Sequence, residues 1–281
     1  MELAYFADEV SKEDFDEALR LGVEAGATGV ELRGGIWGKR VQEIDDDEVK
    51  RVQDVLAKYS VKVYSIGSPV GKCDHDSQDQ RDEHHRIFDR MVELAHAFDT
   101  TVIRGFSLWN PRIKEDGVTR HDSNKLRPDL DHYLEAVAAF LAPIAKTASG
   151  EGVTLSMENE GATIAGTCEE AKRVASAVDE VSGAPDGFTF CWDVVNGVHS
   201  GESDFRAGYE ALKGRITHFH VKPNSEKEIF PILGSEDGSY GDLIRTLLAD
   251  DYTGCASVEH WGSPELMLKG IRQLREVLDS L

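Results

Sequence analysis

The feature that most constrains this chain is an alternation that continues from one end to the other. Short runs rich in β-branched and aromatic residues each give way to a longer stretch with apolar residues at helical spacing. The short runs are Leu3 to Phe6, Gly29 to Leu32, Val61 to Ile66, Thr101 to Phe106, Val153 to Met157, Phe188 to Cys191, Ile216 to Val221 and Ala256 to Val258. The helical stretches are Lys12 to Ala25, Asp47 to Tyr59, Asp82 to Phe98, Leu130 to Ala148, Cys168 to Val181, Phe205 to Leu212, Tyr240 to Leu248 and Pro264 to Leu281. Such alternation predicts parallel strands joined by crossover helices. Eight units in 281 residues come to about 35 residues each, near the spacing of a (β/α)8 barrel of roughly 250 residues. The expectation is an α/β chain forming a single (β/α)8 TIM barrel domain over residues 1–281.

A doubly wound open sheet alternates in the same way, but neither GxGxxG nor a P-loop follows the first strand. Ser11 ahead of Glu13 and Asp14, Thr167 ahead of Glu169 and Glu170, and Ser263 ahead of Pro264 read as helix starts. Gly26, Gly150 and Gly152 mark helix exits. One region breaks the rhythm: Asn110 to Pro128, after the fourth strand, reads as an extended βα loop at the active face.

Charge narrows the partners. The chain carries 31 basic and 52 acidic side chains, a formal charge of −21, yet 40% of its residues are hydrophobic, enough to bury a core. No stripe of Lys and Arg offers a footprint for nucleic acid, so none is expected as a partner. The start, Met-Glu-Leu-Ala-Tyr-Phe-Ala-Asp, lacks a basic leader, and the apolar run Ala136 to Ala145 is too short for a bilayer. A soluble cytoplasmic protein is expected, with self-association left open. Cys73, Cys168, Cys191 and Cys255 are scattered without a CxxC pair, against both a zinc ribbon and a disulfide scaffold. The excess of acid along the whole chain resembles salt-adapted proteins, and an ordinary acidic enzyme has the same look.

In a parallel barrel the strand carboxyl ends line the catalytic mouth. Ionisable residues recur there: Glu31 and Arg33, Arg104, Glu158, Asp193, His218 with His220 and Lys222, and Glu259. Glu158, Asp193, His220 and Glu259 fall at four consecutive strand ends. Three carboxylates and one imidazole make a hard donor set suited to one divalent ion, Mn²⁺, Mg²⁺ or Co²⁺, with Zn²⁺ also accommodated. Such an ion relieves the repulsion among the acids; taken singly, each acid reads equally as an ion pair with a nearby base.

The segments Gly29-Val-Glu-Leu-Arg33, Ser65-Ile-Gly-Ser-Pro-Val-Gly-Lys72, Ile103-Arg-Gly-Phe-Ser107, Met157-Glu-Asn-Glu160, Trp192-Asp-Val-Val-Asn196, His218-Phe-His-Val-Lys222 and Ser257-Val-Glu-His260 resemble the sugar phosphate isomerase/epimerase group of xylose-isomerase-like, endonuclease-IV-like TIM barrels. The resemblance covers essentially the whole chain. It implies that Glu158, Asp193, His220 and Glu259 hold one divalent metal. It also implies that Glu158 and Glu259 move protons on opposite faces of a small polyhydroxy carbonyl substrate, through an enediolate. DNA-repair members place a histidine three residues after the strand-six Asp; here that residue is Asn196, and the trinuclear site of a nuclease is not expected. Pro223 stands where many relatives have Asp.

Further substrate contacts are expected from Glu31, Lys72, Arg104, Asn196, His199 and Lys222, although the bases serve equally to neutralise Glu31, Glu160 or the metal-site acids. The loop Gly234 to Gly238 reads as a weak phosphate cradle or a lid. Trp109, Trp192 and Trp261 read as a sugar-stacking wall or as packing. Cys73-Asp-His75 and His84-His85 read as solvated surface. Besides isomerase or epimerase, the residues leave open a dehydratase of a keto-inositol or keto-acid, a metal hydrolase, and a sugar-binding protein without chemistry.

Overall fold

The computed structural model describes residues 1–119, 122, 124–229 and 238–281. Its strands are β1 (Glu2–Tyr5), β2 (Gly29–Leu32), β3 (Lys62–Ile66), β4 (Val102–Gly105), β5 (Thr154–Glu158), β6 (Phe188–Asp193), β7 (Ile216–Val221) and β8 (Cys255–Val258). They form one eight-stranded sheet in the order β1-β8-β7-β6-β5-β4-β3-β2. β1 meets β8 in a parallel ladder and β2 through the parallel Phe6–Glu31 bridge. Each strand therefore lies beside its chain neighbours and the first lies beside the last. This is the (β/α)8 barrel expected from the alternation. It overturns the open doubly wound alternative, whose strand order reverses at a switch point.

Strand ends fall within two residues of their sequence-predicted positions, as do the helix starts except the first and the third, which move further. The first helix, Phe15–Glu24, is capped by Asp14, which accepts from the Glu17 amide; Ser11, expected as the cap, instead accepts from the Asp14 amide. The helix Gln78–Ala97 begins before Asp82 because Gln78 pairs with Arg81 and Asp82 at helical spacing, which adds a polar turn without apolar periodicity. Thr167 caps Cys168–Ser182 where a helix start is expected and forms a capping box with Glu170, and Ser263 caps Pro264–Asp279. Gly150 is the last residue of its helix and not an exit, whereas Gly152 beyond it takes the left-handed φ of 70°. A helix that periodicity missed, Val194–His199, leaves β6 with no linker.

Contacts group the chain into two compact units. The first comprises Met1–Ser68, Leu94–Thr100 and His218–Leu281. There the Tyr5 hydroxyl donates to the Ala18 carbonyl at 2.8 Å and its ring lies over Gly22, where an added Cβ would come within 2.2 Å. Burial of Phe15 and Leu19 on the same helix contributes about 1.5–3 kcal/mol each. The second unit comprises Pro69–Glu93 and Thr101–Thr217. Here a chain of buried or half-buried hydroxyls, Thr154 to Thr189 (3.0 Å), Thr189 to Thr217 (2.6 Å) and Thr217 to Ser156 (3.0 Å), satisfies a polar layer from within.

After β4 the described chain makes a short 3-10 turn, Pro111–Lys114, in which the Arg112 amide donates to the Asn110 side chain. Arg120, His121 and Ser123 of the anticipated long loop, and residues 230–237 with most of the anticipated Gly234 to Gly238 loop, lie outside the described residues. Among the described residues no helix is long and apolar enough to cross a membrane.

Candidate functional site

In the first unit the strand ends gather around Glu31. This acid is wholly buried, and its Oε2 accepts from His218 Nε2 (2.6 Å), His220 Nε2 (2.9 Å) and, at 3.3 Å, the Ser257 hydroxyl. His218 and His220 stand two apart in β7, so the strand's period of two turns both rings toward the same acid. With Nε2 committed to Glu31, the second ring nitrogen of His220 faces Glu259: Nδ1 lies 3.7 Å from Oε2. That separation exceeds a hydrogen bond and approaches the spacing of two donors sharing one ion at bonds of about 2.1 Å. Lys222 Nζ lies 3.0 Å from the same Oε2.

The other oxygen of Glu259 meets Arg33, at 2.7 Å from Nη1. Asp8 takes Nε and Nη2 of Arg33, and Glu9 takes Nη2. Burial disfavours the guanidinium charge, but Glu259, Asp8 and Glu9 outweigh it and hold the proton more tightly than usual. Burial and the negative charge of Glu259 raise Glu9, against the pull of Arg33 and two backbone amides.

In the second unit β5 and β6 present a pair of buried acids, Glu158 and Asp193. Asn196 lies between them: its side-chain amide donates to Glu158 Oε1 at 2.8 Å and its backbone amide to Asp193 Oδ1 at 2.8 Å. The second bond is the N-cap of Val194–His199, so the short helix exists where β6 must end on an acid. Asn159 fixes the main chain of Asp193 in both directions, accepting from its amide and donating to its carbonyl at 2.8 Å each. Arg104 Nη1 lies 3.3 Å from Glu158 Oε2. Lys72 Nζ lies 3.6 Å from Glu160 and over the Phe106 ring at 4.0 Å.

The sequence-selected residues thus fall into two groups: Glu31, His220, Lys222 and Glu259 in one unit, Lys72, Arg104, Glu158, Asp193 and Asn196 in the other. His199 ends its helix half-buried. Each of Lys72, Arg104 and Lys222 meets a carboxylate. Sequence reading passed over Asp8, Glu9 and Asn159 and gave Arg33 no role; Arg33 stands two residues after Glu31, the one signal that β2 points both toward the site.

Two readings are corrected, and the open choice for Trp192 is decided for packing. His84 and His85 are half-buried rather than solvated: His84 Nδ1 accepts from the Gly71 amide at 3.1 Å, and His85 stacks on Phe140. Cys73 is buried, and that burial pushes its thiol up to about 12. Trp192 is core, fully enclosed, and belongs to no stacking wall, whereas Trp261 is 65% exposed.

No match was found among curated proteins. Among solved structures, the chain is similar to 3-keto-D-glucoside 4-epimerase from E. coli, at 15% identity and a TM-score of 0.75, covering 99% of both chains. It is also similar to a xylose isomerase-like TIM barrel protein from Mycobacterium smegmatis in complex with magnesium, at 16% identity and a TM-score of 0.73, covering 100% of this chain and 96% of that one. A third likeness is to D-psicose 3-epimerase with D-tagatose from Clostridium cellulolyticum H10, at 13% identity and a TM-score of 0.72, covering 100% and 98%. At these identities the likeness is one of fold. The sequence model of one family matches residues 19–278, most of the chain, and by that match this protein belongs to the xylose isomerase-like TIM barrel family.

Proposed function

We propose that this protein is a divalent-metal-dependent isomerase or epimerase of a small, uncharged keto sugar. Glu158, Asp193, His220 and Glu259 are its metal ligands, all buried. The observation that carries the reading is the Glu31–His220–Glu259 arrangement. A buried carboxylate fixes one imidazole nitrogen and the other is set beside a second carboxylate at ligand spacing, the usual support of a metal-binding histidine. The donor set is hard and favours Mn²⁺, Mg²⁺ or Co²⁺ over softer ions. The bound ion supplies polarisation of a carbonyl and its neighbouring hydroxyl, which acidifies the hydrogen on the carbon between them.

The chain's own residues do the rest. Glu158 and Glu259 are the proton-transfer groups. Arg104 beside Glu158, and Lys222 with Arg33 beside Glu259, stabilise the ionised forms that accept a proton. Removal by one carboxylate and return by the other inverts a carbon through the substrate's enediolate; return to the adjacent carbon moves the carbonyl. The bases at the strand ends are already matched with acids, which supports an uncharged substrate over a sugar phosphate. Relatives that act on or bind D-tagatose and a keto-glucoside support the same substrate class.

The test is incubation of the Mn²⁺-loaded protein in D2O with free ketoses and their phosphates. Deuterium is expected beside the carbonyl with no other change in mass, on free ketoses in preference to phosphates by at least about tenfold, and Glu158→Gln abolishes it. Full exchange in Glu158→Gln overturns the proton-transfer role, loss of water makes the protein a dehydratase, and preference for phosphates overturns the uncharged substrate.

A further inference from the structure

We infer that Arg33 is a positioning residue for Glu259, clamping one carboxylate oxygen so that the other alone serves the reaction. The inference rests on the reading of Glu259 given above. Arg33 Nη1 holds Oε1 at 2.7 Å, while Oε2 faces Lys222 at 3.0 Å and His220 at 3.7 Å. A carboxylate at a strand end otherwise rotates and offers either oxygen or both.

The clamp is itself fixed from every side. Asp8 grips it as a fork, with Nε at 2.9 Å and Nη2 at 3.2 Å, and Glu9 holds Nη2 at 3.1 Å. Its guanidinium carbon lies 4.1 Å from the Phe6 ring centroid and 4.8 Å from that of Trp261. The second oxygen of Glu9 accepts from the amides of His260 and Trp261, at 2.7 and 2.9 Å. One acid therefore holds both the clamp and the chain immediately past Glu259. Trp261 keeps a left-handed φ of 54°, rare for a side chain of its size, and in that conformation spreads an exposed indole over Arg33. Stabilising the charge of Glu259 needs only a nearby cation, as Lys222 shows, and none of this scaffolding. Arg33 keeps its proton at any working pH, so it acts by placement and not by transfer. A lysine cannot hold Glu259 and fork Asp8 together.

The experiment compares wild type with Arg33→Lys, Arg33→Met and Asp8→Asn, by solvent-deuterium exchange kinetics, Mn²⁺ calorimetry and thermal unfolding. In both Arg33 variants kcat is expected to fall about 10- to 100-fold, the worth of a hydrogen bond to a charged group, with KM changed less than about threefold. Millimolar guanidinium restores Arg33→Met and leaves Arg33→Lys unchanged. Mn²⁺ binds Arg33→Met more tightly than wild type, because a positive charge has left the ligand and a second oxygen is released. A residue that only props the fold gives the opposite sign. Unchanged kcat, or weaker Mn²⁺ binding that tracks lost stability without guanidinium rescue, overturns the inference. If Arg33→Met does not fold, Asp8→Asn decides: lower kcat at unchanged KM supports the clamp, and unchanged kcat overturns it. Wild type that neither binds Mn²⁺ nor exchanges deuterium overturns the functional reading itself, independently of the variants.

Discussion

Asn196 donates its side-chain amide to Glu158 and its backbone amide to Asp193, each at 2.8 Å, so one residue sets the spacing of two buried acids. Asn196→Ala keeps the helix cap, which is a backbone bond, and removes the hold on Glu158. Loss of one hydrogen bond to a charged group costs about 1.5–3 kcal/mol. The expected outcome is roughly a 10- to 100-fold loss of solvent-deuterium exchange with a folded protein; exchange at the wild-type rate would show that Glu158 does not depend on Asn196. Asn196→Asp is expected to do worse, since it sets a third carboxylate against two.

Divalent metal should stabilise the fold by mass action. At a hundred times its dissociation constant an ion that binds only the native state adds about 2.7 kcal/mol. Mn²⁺ is therefore expected to raise the unfolding midpoint reversibly, with chelation undoing it and about one ion bound per chain by calorimetry. Glu259→Gln and Asp193→Asn are expected to lose most of the effect, and a shift that persists in both variants would place the ion elsewhere.

His84 ties acid stability to the loop that carries Lys72. Burial, opposed by the negative charge of Glu83, lowers the pKa of His84 below 6.5, and its Nδ1 must stay unprotonated to accept from the Gly71 amide. A folded value below the unfolded one means that the unfolded chain takes up the proton first. The contribution is thus complete above pH 6.5 and is lost as pH falls through the lowered folded value. Denaturant titrations should show wild type losing stability below pH 6.5 more steeply than His84→Asn, and parallel curves would remove His84 from the account.

The acidic coat predicts a salt response. With a formal charge of −21, repulsion among exposed acids weakens the compact state, and molar KCl screens it. The unfolding midpoint is expected to rise with KCl while metal stoichiometry stays constant; a flat or falling midpoint removes the salt-adapted reading.

What was legible in the sequence followed from local physics. Each strand announced itself through β-branched or aromatic residues, and the strand-end acids could be named because a parallel barrel puts carboxyl ends on one side. Thr167 was readable as a cap because its partner Glu170 is three residues on. Ser11 was misread because Asp14 competes for the same role and lies closer to the first apolar residue, Phe15. Val194–His199 escaped because six residues carry too little periodicity, and its cap is also a candidate ligand. The roles of Arg33 and Glu9 were invisible for another reason. Their partners Glu259 and His260 lie more than 220 residues away, and no local pattern records such a pairing.

The shared acceptor Glu31 has a consequence for how the site can change. Both rings of β7 donate Nε2 to one oxygen, which fixes the same tautomer in both and leaves each Nδ1 as the acceptor. The two histidines are therefore not independent parts. Glu31→Gln replaces an acceptor-only group with one that also donates, and it removes the negative charge that both rings share. A change at either histidine alone leaves the other correctly set. The arrangement has a single point of failure, and it lies one residue behind the imidazole proposed as a ligand.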